Sequence, residues 1–295
     1  MKKTLKTVSV IIVLLFTITI SAQKREVKIV PTKITDNIYM LKGQGGNIGL
    51  FIGKDGVFMI DDQFAPLTPK ILSTIKSITN KPVTYLINTH WHGDHTGGNA
   101  NMQKEGAIIV SHENVRKRLS VDQIVRGRKK AASPKEALPV ITFTKDMMFF
   151  LNGEDILVSH IHNAHTDGDA LVYFTNRNIL HTGDAYFQIG FPFIDVDSGG
   201  SIDGYIKGIE KMIALSDDKT VIIPGHGNLS NKKELVIYLK MLKALRNSIA
   251  EKINDGKSLD EVKSDAEITK RYKHLNWWIT EAKIKEAIYK SLKNR

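Results

Sequence analysis

The chain has 295 residues, no cysteine, 42 lysines and arginines against 31 aspartates and glutamates, and a formal net charge of +11. Without thiols there are neither disulfides nor thiolate metal sites, so any metal has to be held by histidine and carboxylate. The basic balance does not point to nucleic acid: the densest stretch, residues 116–130, has no aromatic residue interleaved for base stacking.

Lys2, Lys3 and Lys6 precede an almost unbroken apolar run over residues 8–20, which ends in the small pair Ser21-Ala22. That is the pattern of a cleavable export signal over residues 1–22, with cleavage after Ala22 and a periplasmic or secreted product. The run is too short for a comfortable membrane span, so no stable membrane insertion is expected. Residues 23–295 are then long enough for one domain with a sizeable core.

Residues 37–41, 46–52 and 56–60 read as short strands separated by glycine-rich turns. A helix follows, with Thr68 as its cap and Pro69 at the first helical position. Ile71, Leu72, Ile75 and Ile78 fall at helical spacing on one face. Residues 83–87 form a short buried strand, and residues 116–139 a helix or lid. Strands are expected over 142–150, 156–161, 171–174 and 179–180, with Asn152-Gly153 as a hairpin turn. Ser201 caps a helix to about residue 214, residues 220–223 form another strand, and helices over 232–253 and 277–292 close the chain. Trp277 and Trp278 are expected to pack in the core beneath the last helix. Two β-rich halves, each followed by helices, predict two packed sheets with helices outside.

The informative segment is Thr89-His90-Trp91-His92-Gly93-Asp94-His95. Its three histidines and one aspartate cannot share one face of a helix or strand. They converge only where the backbone turns sharply, and Gly93 is expected to supply the freedom. Imidazole with carboxylate is the donor set of Zn²⁺ and similar borderline metals. Three later residues complete the set, each near a glycine at the end of an apolar strand: His165, Asp184 and His226. His112, His160, His162 and His274 are expected outside it.

Together with Asp61 these motifs, five in order, make the chain resemble the metallo-β-lactamase superfamily from residue 29 to the final helix. The resemblance implies an α+β fold, a four-layer αββα sandwich with a two-metal site at one edge. By position, His90, His92 and His165 would hold one Zn²⁺, Asp94, His95 and His226 a second, and Asp184 would bridge them. An activated water between the two ions would attack a carbonyl or phosphoryl centre, and Asp94 could also orient it or shuttle its proton. Asp61 would hydrogen-bond the ligand loop, with Thr89, His181 and Thr182 as further supports.

The family is wide, so the implied substrate is a small molecule of open identity. β-Lactamases with a Cys at the fourth motif carry a Lys three positions later, where this chain has Asp184 and Phe187; others carry a Ser at the Asp184 position. Asp184 resembles the pattern of thioesterases, lactonases and phosphodiesterases, whereas export favours a β-lactam or another small cyclic amide or ester. An iron-dependent sulfur dioxygenase is the alternative from another class. Phe191 and Phe193 are expected to line the substrate pocket, and Arg126 and Arg128 to meet a substrate carboxylate from the lid.

Overall fold

The computed structural model describes residues 26–125 and 127–293; the expected export signal and Arg126 lie outside them. Strand β1 (Val30–Lys33) opens an antiparallel run with β2 (Ile38–Lys42), β3 (Ile48–Gly53) and β4 (Gly56–Ile60). Helix α1 (Thr68–Ile78) carries the chain across, so that β5 (Val83–Asn88) runs parallel to β4. After two short helices, α2 (Gly93–Thr96) and α3 (Asn99–Lys104), β6 (Ile108–His112) lies parallel to β5. Helix α4 (Glu113–Leu119) leads into a ribbon of β7 (Gln123–Val125) and β8 (Arg128–Lys130). Strand β9 (Ile141–Phe143) completes a seven-stranded sheet beside β6.

The second sheet takes β10 (Asp146–Leu151), β11 (Glu154–His160), β12 (Ala170–Phe174) and β13 (Ile179–His181) in antiparallel order. Helix α5 (Ile202–Leu215), capped by Ser201, crosses to β14 (Val221–Ile223), which is parallel to β13. Helices α6 (Lys232–Asn254), α7 (Leu259–Ser264) and α8 (Glu281–Lys293) follow.

Alternation within strands builds the layers. Phe58 and Ile60 of β4 join Phe51 in a core shared with Val158, Val172 and Phe174 of the second sheet, where Phe51 meets Phe174 edge to face at 5.3 Å. Val57 and Met59 point the other way, onto Ile71 and Ile75 of α1. Strand β4 is thus buried on both faces, and its sequence reads as a continuous apolar run for that reason. Behind the second sheet, Leu171, Leu180 and Ile222 pack against Ile209, Leu242 and Ile288 of α5, α6 and α8. The order helix, sheet, sheet, helix is the αββα sandwich.

Three local expectations are corrected. Thr68 is the first residue of α1, not its cap: a 3₁₀ turn over Ala65–Leu67 runs straight into the helix, and the Thr68 N–H is already used on Ala65 O. Residues 142–150 are not one strand, because β9 pairs with β6 and β10 with β11, and the chain changes sheets between them. The last helix starts at Glu281, four residues later than expected, because Thr280 caps it by accepting the Lys283 N–H at 3.3 Å.

Candidate metal centre

All the motif residues stand where strands end at one edge of the sandwich. Past β5, Thr89 O accepts the Ala170 N–H at 2.8 Å, which ties the two sheets together at this point. His92 is the cap residue of α2, and the His95 and Thr96 N–H groups both return to His92 O at 3.0 Å. One turn of helix therefore aims Asp94 and His95 back toward His90 and His92. Gly93 is not needed for its conformational freedom, as expected from sequence; it is an ordinary first helical residue, and a Cβ there would meet nothing nearer than Lys130 Nζ at 3.9 Å. The close approaches fall at other glycines. A Cβ on Gly46 would lie 2.1 Å from His95 Cε1, and one on Gly225 would lie 2.1 Å from Asp184 Oδ1.

The second sheet supplies the remaining donors. His165 sits in a turn organised by Asp169, which accepts the His165 N–H at 2.6 Å, the Thr166 N–H at 2.9 Å and the Thr166 hydroxyl at 2.6 Å. Asp184 follows β13 and His226 follows β14. Asn47 at the start of β3 clasps the His226 loop, its amide donating to Pro224 O at 2.9 Å while its N–H donates to Gly225 O at 2.7 Å.

Ligand atoms of three groups lie within 4.8 Å of one another: His90, His92 and His165; His90, His95 and Asp184; Asp94, His95 and His226. Each of four rings uses its other nitrogen outward. His92 Nε2 donates to Asp195 at 2.8 Å, His165 Nδ1 to Phe193 O at 2.5 Å, His95 Nδ1 to Asp61 at 2.7 Å, and His90 Nδ1 to Thr89 Oγ1 at 3.1 Å. For His90, His92 and His165 these bonds fix the tautomers and turn the lone pairs inward, while His95, held well above the ordinary histidine value by Asp184, Asp94 and Asp61 against burial, aims its Nε2 at the carboxylates. His92 Nδ1 and His165 Nε2 then face each other at 2.9 Å, and His90 Nε2 is buried with no hydrogen-bond partner. Asp184 Oδ1 likewise has no hydrogen bond, though His95 Nε2 stands 3.1 Å away. Converging lone pairs and orphaned buried acceptors fit a cation.

Charge follows the same logic. Burial, with His95 and His165 adding to it, drives His90 well below the ordinary histidine value, and burial takes His165 down to about 4. Both are neutral, the form that ligates metal. Burial disfavours charge on Asp94 and Asp184 too, but the facing imidazoles of His95 and His226 override it and hold both carboxylates ionised. The same carboxylates raise His226 to about 9 against burial. The cluster attracts positive charge.

A sequence profile of the metallo-beta-lactamase superfamily matches residues 41–226, more than half of the chain. The chain belongs to that superfamily. It is 24% identical over 259 residues to a metallo-beta-lactamase type 2 of Bacteroides fragilis, covering 81% of this chain and 96% of that one. It is 26% identical over 213 residues to a hydroxyacylglutathione hydrolase of a Polaromonas species, covering 71% and 72%. The structure of a metallo-beta-lactamase from Pontibacter korlensis shares its fold, with a TM-score of 0.63 at 20% identity over 73% of this chain and 99% of that one.

In this metallo-beta-lactamase superfamily member the supporting residues are placed as follows. Asp61, fully buried, accepts the Thr89 N–H and the Thr89 hydroxyl, both at 2.8 Å, as well as His95. His181 touches no donor directly; its Nε2 donates to Asn47 O at 3.1 Å and its Nδ1 accepts the Gly183 N–H, so it holds the Asp184 loop. Thr182 bonds only backbone carbonyls. His112 and His160 stack on each other at 3.9 Å, outside the three donor groups.

The cleft over the donors is lined in part by Phe64, Phe187, Phe193, Trp277 and Trp278. Two expectations fail here. Phe191 is 0% exposed and packs in the core behind the second sheet, whereas Phe193, two residues on, lines the cleft. Trp277 and Trp278 are at the rim instead of beneath α8. In the 116–130 segment, Arg118 is committed to Asp167 through two bonds of 2.7 Å, while Lys130 Nζ lies 5.0 Å from the Trp91 ring.

Asp195 and Asp169 were not singled out in the sequence as supports. Asp169 lies in the same turn as His165, but its carboxylate bonds backbone and Thr166 and no ring, and a loop aspartate such as Asp195 carries no signal of the ring it will meet. Burial alone would raise the Asp195 carboxyl, but the hydrogen bond from His92 outweighs it and brings it to about 2. Asp195→Asn is therefore expected to lower metal affinity about 10- to 100-fold, read by competition with a chromogenic chelator. In the metal-free protein the Asp195 charge adds about 2 kcal/mol above pH 4, and this is lost as pH falls through about 2. Urea unfolding of the two proteins should differ at pH 7 and converge in acid.

Proposed function

We propose that the chain is an exported dinuclear zinc hydrolase that cleaves the carbonyl–heteroatom bond of a small cyclic amide or ester. The supporting observation is the inward turn of the donor lone pairs, with two buried acceptors left unbonded, at the floor of an open cleft. His90, His92 and His165 would hold one ion and Asp94, His95 and His226 the other, with Asp184 reaching both groups. Zinc bound there supplies a water acidic enough to act as nucleophile near neutral pH and polarises the carbonyl under attack.

The chain's own groups do the rest. Asp94 is partly exposed at the cleft and held ionised by His95 and His226, so its free oxygen can orient a water and accept its proton. The aromatic walls give the reacting centre an apolar surround. The basic, apolar and small-residue run ending at Ala22 supports export. Among the described residues no helix is long and apolar enough to cross a membrane.

β-Lactam hydrolysis is the first substrate to test, since relatives from Bacteroides fragilis and Chryseobacterium indologenes are named metallo-beta-lactamases. A second reading, lactone or thioester hydrolysis, is favoured by Asp184 and Phe187 standing where β-lactamases of the family carry other residues. The purified protein reconstituted with zinc should hold two zinc per chain by elemental analysis. It should turn over one member of a panel of a chromogenic cephalosporin, a lactone, a thioester and a bis-phosphodiester. A protein that takes up no metal, or one iron per chain, overturns the proposal.

A further inference from the structure

Five aromatic side chains crowd a cleft of about 570 Å³, and among the described residues none that lines it is a lysine or arginine. Trp277 is 61% exposed, and Trp278 and Phe64 are 38% exposed each. Indoles and phenyls offer the largest gain on burial of any side chains. Leaving three of them wet around one opening is the mark of a surface that a ligand covers.

Their arrangement is continuous with the donors. Phe193 stacks on His92 at 5.7 Å, and Phe187 leans on His226 at 4.9 Å. Trp278 meets Phe193 edge to face at 5.4 Å and lies 6.3 Å from Phe187. Phe64 stands on the Asp94 side: a Cβ on Gly45 would be 3.4 Å from its ring and 2.9 Å from Asp94 O. Apolar surface therefore runs from the imidazoles to the rim.

The tryptophan segment is also held in place. Phe191 N–H donates to Leu275 O at 3.4 Å, Glu281 N–H donates to Asn276 Oδ1 at 3.1 Å, and the Thr269 hydroxyl donates to Glu281. A wall fixed before binding costs little to order when a ligand arrives.

We propose that the wall of Trp277 and Trp278 selects substrates whose acyl group carries a large uncharged apolar substituent, alkyl or aromatic. This rests on the hydrolase reading above. The wall determines specificity through contact with the substituent, away from the bond that breaks, so it acts on KM and discriminates by acyl length. Each methylene buried along it is worth up to about a fourfold gain in kcat/KM.

The test uses the zinc-loaded protein and acyl thioesters of N-acetylcysteamine from acetyl to decanoyl, followed by thiol release. The leaving group is small and constant, so the series reports the acyl pocket. Specificity should climb with chain length until the cleft is filled. Trp277→Ala and Trp278→Ala should flatten the climb, costing the decanoyl thioester at least tenfold, mainly in KM, and the acetyl thioester less than twofold. A second readout needs no turnover: the neutral dye N-phenyl-1-naphthylamine should bind, be displaced by n-decanol, and bind tenfold more weakly to both variants. Circular dichroism should show both variants folded, Trp277 being mostly in solvent. A flat series in the unaltered protein, equal losses for acetyl and decanoyl, or dye binding unchanged in the variants each overturns the wall. Dye binding that weakens in the variants, with no thioester or other panel substrate turned over, upholds the wall and sinks the hydrolase reading instead.

Discussion

Asp184→Ala is expected to reduce hydrolysis of whichever panel substrate is active by about 10³-fold or more, the upper range for removing one preorganised electrostatic group. Its two oxygens lie within 3.1 Å of His95 Nε2, 3.4 Å of His226 Nε2, 3.7 Å of His165 Nε2 and 3.9 Å of His90 Nε2. No other carboxylate in the cluster faces both histidine groups. Alanine would leave the imidazoles facing one another with one negative charge fewer, and bound metal per chain should fall below that of the parent protein. Elemental analysis and single-turnover rates check the two halves separately. Full-rate turnover by the variant would refute the shared role of Asp184. The fold should survive, because the loop is held independently by Gly225 N–H on Gly183 O at 2.9 Å and by the Tyr205 hydroxyl on Asp184 O.

The second large effect is on stability. Asp61→Ala removes the acceptor of three donors at once, in a site with no access for water. The Thr89 N–H and the His95 ring would be stranded, and breaking a buried charged partnership of this kind costs roughly 3–5 kcal/mol. In a chain of this length that is a fall in Tm of about 10 °C, measured on the metal-free protein so that lost metal does not contribute. Asp61 has φ 59°, a left-handed conformation that asparagine tolerates far better than alanine. Asp61→Asn therefore separates charge from backbone and should lose less. A metal-free Asp61→Ala protein that unfolds within 2 °C of the parent would remove Asp61 from this scaffold role.

The donor cluster was legible because its residues obey a local rule: histidine or aspartate beside glycine, just past an apolar strand. Strand ends at one edge of a sandwich are brought together by topology, so local reading was enough to collect seven side chains from distant positions. The layer order was legible for a related reason, since β4 and β5 are apolar on both faces only if something covers each side. The rim was not. Trp277 and Trp278 look like core residues until the helix behind them starts four positions late and leaves them outside. Phe191 and Phe193 lie in a loop without periodicity, so nothing in the sequence says which ring faces inward. The division of 142–150 between two sheets was marked only by Thr144-Lys145, a polar step without the glycine or proline that punctuates the other turns, so two short strands read as one.

Four of the donors hang from the first sheet and three from the second, and the bonds joining the sheets at that edge include Thr89 with Ala170, Asn47 with the His226 loop and His92 with Asp195. An ion gripped from both sides acts there as a rivet. Separating the halves would then require releasing it, so a bound metal should join both halves into a single cooperative melting unit, and chelation should loosen the seam before it unravels either sheet.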